Sequence, residues 1–134
     1  MYNSYDPSYS LAINTRGIVL SRTTFTGNTG NYPTIVNSKS FNSSPFKTIR
    51  FLVSNLLQGI ETDASFVCTA LTSSKQSIAN SAISVYIPTG DKYVYWDVSA
   101  ISQQMFFVIR SDFYYRPDQW GEQKLIIKRI DFIA

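Results

Sequence analysis

The chain has 134 residues, of which 44% are apolar and 16% charged, and its 12 basic and 9 acidic residues leave a formal charge of +3. That length excludes two independent cores, and that composition excludes a disordered chain, which would be less apolar and more highly charged. The absence of histidine excludes Ser-His-Asp and Cys-His machinery, imidazole zinc ligation and histidine acid–base catalysis together.

The apolar residues are of the kind that suits strands. There are 14 Ile and 8 Val against 7 Leu, with 11 Thr and 20 aromatics, and branched and aromatic side chains fit a pleated surface better than a helix. Ser, Thr and Asn supply 37 residues, which suits polar outer faces and turns.

Taken in order, residues 1–10 form a polar, Tyr-rich arm with Pro7 and no periodicity, and residues 11–134 form one domain. The expected strands begin with Leu11–Ile13 and Gly17–Leu20 leading to Phe25, read as one strand or two short ones. Thr26–Asn31 is a turn or loop, Pro33–Val36 a brief pairing segment and Asn37–Pro45 a polar loop. In Phe46–Leu57, alternation puts Ile49, Phe51 and Val53 on one face and Thr48, Arg50, Leu52 and Ser54 on the other. Ser65–Thr72 follows, with Phe66, Cys68 and Ala70 on one side.

Ala82–Ile87 directs Ile83, Val85 and Ile87 inward. Pro88-Thr-Gly-Asp91 is a turn signal, and Lys92–Val98 places Val94, Trp96 and Val98 opposite Tyr93, Tyr95 and Asp97. These two segments are expected to pair as a hairpin. Ser99–Gln104 is a connection plugged by Ile101. Gln104–Arg110 has two apolar faces and so belongs in the interior of a sheet. Ser111–Gln123 is an aromatic-rich loop, and Lys124–Ile133 is a closing strand interrupted by Lys128 and Arg129. Roughly eight strands without a long helix imply an all-β protein, a two-sheet antiparallel β-sandwich, with a jelly roll as the expected topology.

Few residues offer chemistry. Cys68 is the sole cysteine, so no intrachain disulfide can form, and on an apolar strand it acts as a small filler. No Walker loop or Gly-rich nucleotide fingerprint is present. Asp91, Asp97, Asp112, Asp118, Glu122 and Asp131 are the carboxylates from which a glycan-cleaving pair would have to come, but turn and strand-end positions suit structural or solvated roles. No EF-hand spacing exists, so the metal ligands are unknown; calcium stays open as a structural ion, and no cofactor is expected. The basic residues are dispersed, with only Lys124, Lys128 and Arg129 close together, which argues against a nucleic-acid partner. No signal peptide or apolar run long enough for a membrane helix is visible.

The segment Asp112-Phe-Tyr-Tyr-Arg-Pro-Asp-Gln-Trp-Gly-Glu122 is the candidate ligand or interface loop, with Tyr114, Tyr115, Arg116, Asp118 and Trp120 as its binding residues. Aromatic rings there can stack on the C–H faces of sugars while the polar groups meet hydroxyls. The same residue types also suit a protein interface or the capping of a sandwich end. Tyr93, Tyr95 and Trp96 read as structure: Trp96 in the core and the tyrosines tiling an outer face.

Lys92-Tyr-Val-Tyr-Trp-Asp-Val-Ser-Ala-Ile101, then Met105-Phe-Phe-Val-Ile-Arg110 and Leu125-Ile-Ile-Lys-Arg-Ile-Asp-Phe132, resemble the final strands of jelly-roll modules in tailed-phage tail and appendage proteins and in carbohydrate-binding domains. The resemblance implies a non-enzymatic module. The leading expectation is a virion structural protein, a tail, baseplate or capsid-attached component, whose partners are other virion proteins or copies of itself. The alternative is a carbohydrate-binding module or lectin, and a glycan hydrolase ranks third. The resemblance also implies Asp131 as the aspartate that would help hold calcium, although Lys128 and Arg129 stand beside it.

Overall fold

A computed structural model describes residues 9–14, 17–22, 34–56, 64–88, 90–113 and 123–134. They form ten strands: β1 (Tyr9–Asn14), β2 (Gly17–Arg22), β3 (Thr34–Val36), β4 (Phe41–Asn42), β5 (Thr48–Leu56), β6 (Ala64–Leu71), β7 (Ile83–Ile87), β8 (Gly90–Asp97), β9 (Gln104–Phe113) and β10 (Gln123–Ile133). One sheet runs β1-β2-β10-β5-β8 and the other β3-β9-β6-β7, with the short β4 also pairing with β9. Every pairing is antiparallel.

The order reveals a rolled hairpin. With its tip between β6 and β7, one arm carries β2, β3, β5 and β6 and the other β7, β8, β9 and β10. The arms pair as β2 with β10, β3 with β9, β5 with β8 and β6 with β7. Rolling this ribbon closes β10 onto β5 and β9 onto β6, which splits it into two stacked sheets. That is the jelly-roll topology, and β1 extends one sheet beyond it.

Alternation sets what each strand buries. Ile49, Phe51 and Val53 of β5, Phe66, Cys68 and Ala70 of β6, and Val94 and Trp96 of β8 face the core, each 2% exposed or less. Phe51 packs at 4.8 Å from Phe66 across the sheets. Polar ties cross the same gap: the Trp96 indole donates to the Ser81 carbonyl at 2.9 Å, and the Asn55 carboxamide donates to the Ile87 carbonyl at 2.9 Å. Buried Ser43 bonds the Ile101 and Gln103 carbonyls, fastening the expected plug to the base.

Three local expectations need correction. The β7 and β8 strands do not form a hairpin: β7 pairs with β6 and β8 with β5, so the chain passes from one sheet to the other between them. A turn signal fixes a reversal, not the partner. The polar segment 37–45 contributes β4, and the strand ending near Arg110 continues to Phe113. Of the two alternatives for the N-terminal stretch, the described residues show two short strands, β1 and β2, paired with each other, while Phe25 lies outside the described residues.

The interruption in the last strand is a bulge. Ile127 faces Val53 and Arg129 faces Leu52, leaving Lys128 as the extra residue. This one-residue shift brings Ile127, Ile130 and Phe132 to the same side although strict alternation would separate them. It also turns Lys128, Arg129 and Asp131 towards the outer face. Of the expected N-terminal arm, residues 1–8 lie outside the described residues, and Tyr9 and Ser10 belong to β1.

Candidate functional site

The outer face of the larger sheet gathers the most distinctive side chains. In register across β8, β5 and β10, Tyr95 lies beside Arg50 and Arg50 beside Asp131; in the next row Tyr93, Leu52 and Arg129 align. These residues are brought to one face by the outward phase of three strands, with the Lys128 bulge supplying the phase of the third.

Arg50 is the hub. Its Nε and Nη2 donate to Asp131 Oδ2 at 3.0 and 2.8 Å, and its guanidinium carbon sits 4.9 Å from the Tyr93 ring centroid. Asp131 Oδ1 accepts a further bond from Arg129 Nε at 2.7 Å. The Asp131 and Tyr95 side chains hold the Arg50 pKa above its usual value, and the Arg50 and Arg129 guanidiniums hold the Asp131 carboxyl below the usual carboxylate range. Asp131 therefore stays ionised and is a poor proton donor.

Tyr93 and Tyr95 are 45% and 61% exposed, and their rings lie 6.4 Å apart at 39°. They offer an aromatic platform bordered by fixed donors and acceptors. At the neighbouring row, Lys128 Nζ donates to Asp91 at 3.1 Å. The Ser54 hydroxyl, opposite Asp91 in register, and then Lys128 keep the Asp91 carboxyl below its ordinary range.

The proposed carboxylate chemistry finds other employment among the described residues. Asp97 accepts from the Ser99 N–H at 2.9 Å and the Ser99 hydroxyl at 2.6 Å, so Asp-Val-Ser is an Asx turn ending β8. Asp131 is engaged by two guanidiniums, and no cluster of three metal-ligating side chains occurs among the described residues. The side chain of Asp112, and all of Asp118 and Glu122, fall outside the described residues. So do Tyr114, Tyr115, Arg116, Asp118 and Trp120, all the binding residues inferred from sequence. Cys68 is buried, and burial pushes its thiol up, as suits a filler. No helix among the described residues is long and apolar enough to cross a membrane.

The platform is only half legible in the sequence. Alternation marks Arg50 as outward and Tyr93 with Tyr95 as outward, but no local signal states that β5 and β8 are neighbours. For Asp131 the resemblance implies a different role, a share in holding calcium.

Neither a protein-family model nor a curated protein sequence matches the chain. Among solved structures, the fold is similar to the family 11 carbohydrate-binding module of the cellulosomal cellulase Lic26A-Cel5E of Clostridium thermocellum, with a TM-score of 0.57 and 14% identity over 100% of this chain and 89% of that one. The chain is thus an all-β, two-sheet antiparallel sandwich of the architecture that this carbohydrate-binding module also has.

Proposed function

We propose that the protein is a carbohydrate-binding module that holds a glycan on the outer face of the β1-β2-β10-β5-β8 sheet. The observation that carries this is the exposed Tyr93–Tyr95 pair set against the Arg50–Asp131–Arg129 network. Pyranose rings have apolar C–H faces that stack on tyrosine, and their hydroxyls match guanidinium donors and carboxylate acceptors already held in place. The likeness to a carbohydrate-binding module supports the same reading. Binding without turnover accords with the engagement of Asp91, Asp97 and Asp131, the candidate carboxylates among the described residues.

The test is native affinity electrophoresis against a panel of soluble polysaccharides, followed by calorimetry on any that retard the protein. Tyr95→Ala and Tyr93→Ala should each weaken binding about tenfold or more while changing stability by no more than roughly 0.5 kcal/mol, as expected of exposed side chains. Failure of every polysaccharide to retard the protein, or unchanged affinity in both variants, would refute the reading.

A second reading rests on the resemblance of the last strands to phage tail and appendage modules. In it the module is displayed on a virion, bound to other virion proteins or to copies of itself, and the tyrosine face meets a surface glycan. Co-sedimentation with particles supports that location; recovery solely as free protein opposes it.

A further inference from the structure

The two sheets do not meet evenly. Pairing of β2 with β10 stops at Ile18 opposite Ile127, whereas β5 follows β10 as far as Ile133. On the facing sheet, β3 is an edge strand of three residues. In the gap lies a cavity of about 270 Å³, walled by Ile18 and Ile130 from one sheet and Ile35, Phe107 and Ile109 from the other, with half-buried Asn37 at its rim. The bulge at Lys128 contributes to the wall, because it turns Ile130 inward.

Three properties define what could fill it. The space is open to solvent on one side, and its volume exceeds the about 150 Å³ at which an enclosed engineered apolar cavity takes up benzene. Its walls are hydrocarbon, and water needs two to four polar partners to be held in such a site. Among the described residues no ionisable side chain lines it, so a charged group would be desolvated without compensation from them.

The polar side chains at its rim are Asn37 and the exposed Ser38, and of these Asn37 is held in a fixed orientation. Its Nδ2 donates to the Lys39 carbonyl at 2.6 Å and its Oδ1 accepts from the Phe107 N–H at 2.7 Å. A carboxamide has two amide hydrogens and two carbonyl lone pairs, so among the described residues these two bonds engage one of each.

We propose that this cavity is a binding site for a small uncharged amphiphile: one ring or a short branched hydrocarbon, with a single hydroxyl or carbonyl end directed to Asn37. It lies between the sheets and not on the tyrosine face, so it stands or falls independently of glycan binding.

Xenon-pressurised crystals of the unaltered protein, and NMR titrations of its isoleucine methyl groups with p-cresol, toluene and glucose, provide the test. Xenon should appear among Ile35, Phe107 and Ile130. p-Cresol should shift the methyl signals of Ile18, Ile35, Ile109 and Ile130 and bind about fivefold more tightly than toluene, through its hydroxyl; glucose should leave these signals in place. Ile130→Phe and Ile18→Phe, which fill the space, should each abolish the p-cresol response without altering polysaccharide retention. An absence of xenon at that position, methyl signals unmoved by p-cresol, equal affinities for p-cresol and toluene, or undiminished p-cresol binding in both folded Phe variants would overturn the proposal. The first three results come from the unaltered protein and hold even where a variant does not fold.

Discussion

Asp97, Asp91 and Asp131 share a thermodynamic consequence. Their carboxyls are held below the ordinary aspartate value of 3.8: Asp97 by the Ser99 hydroxyl and backbone N–H, Asp91 by Ser54 and Lys128, and Asp131 by Arg50 and Arg129. A folded-state pKa below the unfolded value means that the unfolded chain binds more protons as the pH falls. The stabilisation is therefore complete above the unfolded value and disappears as pH drops through the folded one. Denaturant midpoints should fall below about pH 3.8, and Asp97→Asn should flatten part of that decline; an unchanged acid profile in the variant would count against the Asx turn as a contributor. Gly17 carries a second prediction at this scale. Its φ is +126°, and an added Cβ would run into the Ile127 carbonyl, so Gly17→Ala should cost roughly 2–3 kcal/mol in chemical unfolding. A loss under about 0.5 kcal/mol would mean that the strand end shifts freely.

At the scale of the elements, the strands are tied across the core by polar bonds as well as by packing. Asn55 leaves β5 to satisfy the Ile87 carbonyl of β7, in the opposite sheet. Asn55→Leu should strand that buried carbonyl and cost about 1–3 kcal/mol in urea unfolding, despite the added apolar surface. A neutral or stabilising outcome would show that the bond is replaced locally. The bulge in β10 acts on function by the same geometric logic. By absorbing Lys128 it sets Ile130 and Phe132 towards the core and Arg129 and Asp131 towards solvent, so one extra residue serves both the packing and the candidate glycan face. Sequence alternation marked the inner residues of β5, β6 and β8 because a buried face repeats every second residue. It marked Lys128 and Arg129 only as an interruption, since a bulge breaks the period from which register is read.

For the whole molecule, the rolled hairpin makes the last strand indispensable. β10 sits between β2 and β5 and pairs with both, so the larger sheet has no continuity without it. Removal of residues 123–134 should leave a chain without dispersed amide resonances or a cooperative thermal transition. A truncated protein that still melts cooperatively would show that the smaller sheet and β5 with β8 suffice. Pairing distant strands requires loop closure before contacts compensate, which places folding on the slow side for a domain of this size.

What the amino-acid order determined by itself was local and periodic. Branched and aromatic residues demanded strands, alternation chose their buried sides, and Pro88-Thr-Gly-Asp91 marked a reversal. Tertiary structure alone decided which strands became neighbours. Periodicity records the face of a residue but not its partner, so a hairpin expected from the Pro88 signal gives way to strands in opposite sheets, and the tyrosine platform cannot be assembled from its pieces. Arg50 and Asp131, 81 residues apart, meet only because the ribbon rolls β10 against β5. The candidate glycan face is a product of strand order, and strand order arises from the closure of two sheets around one core.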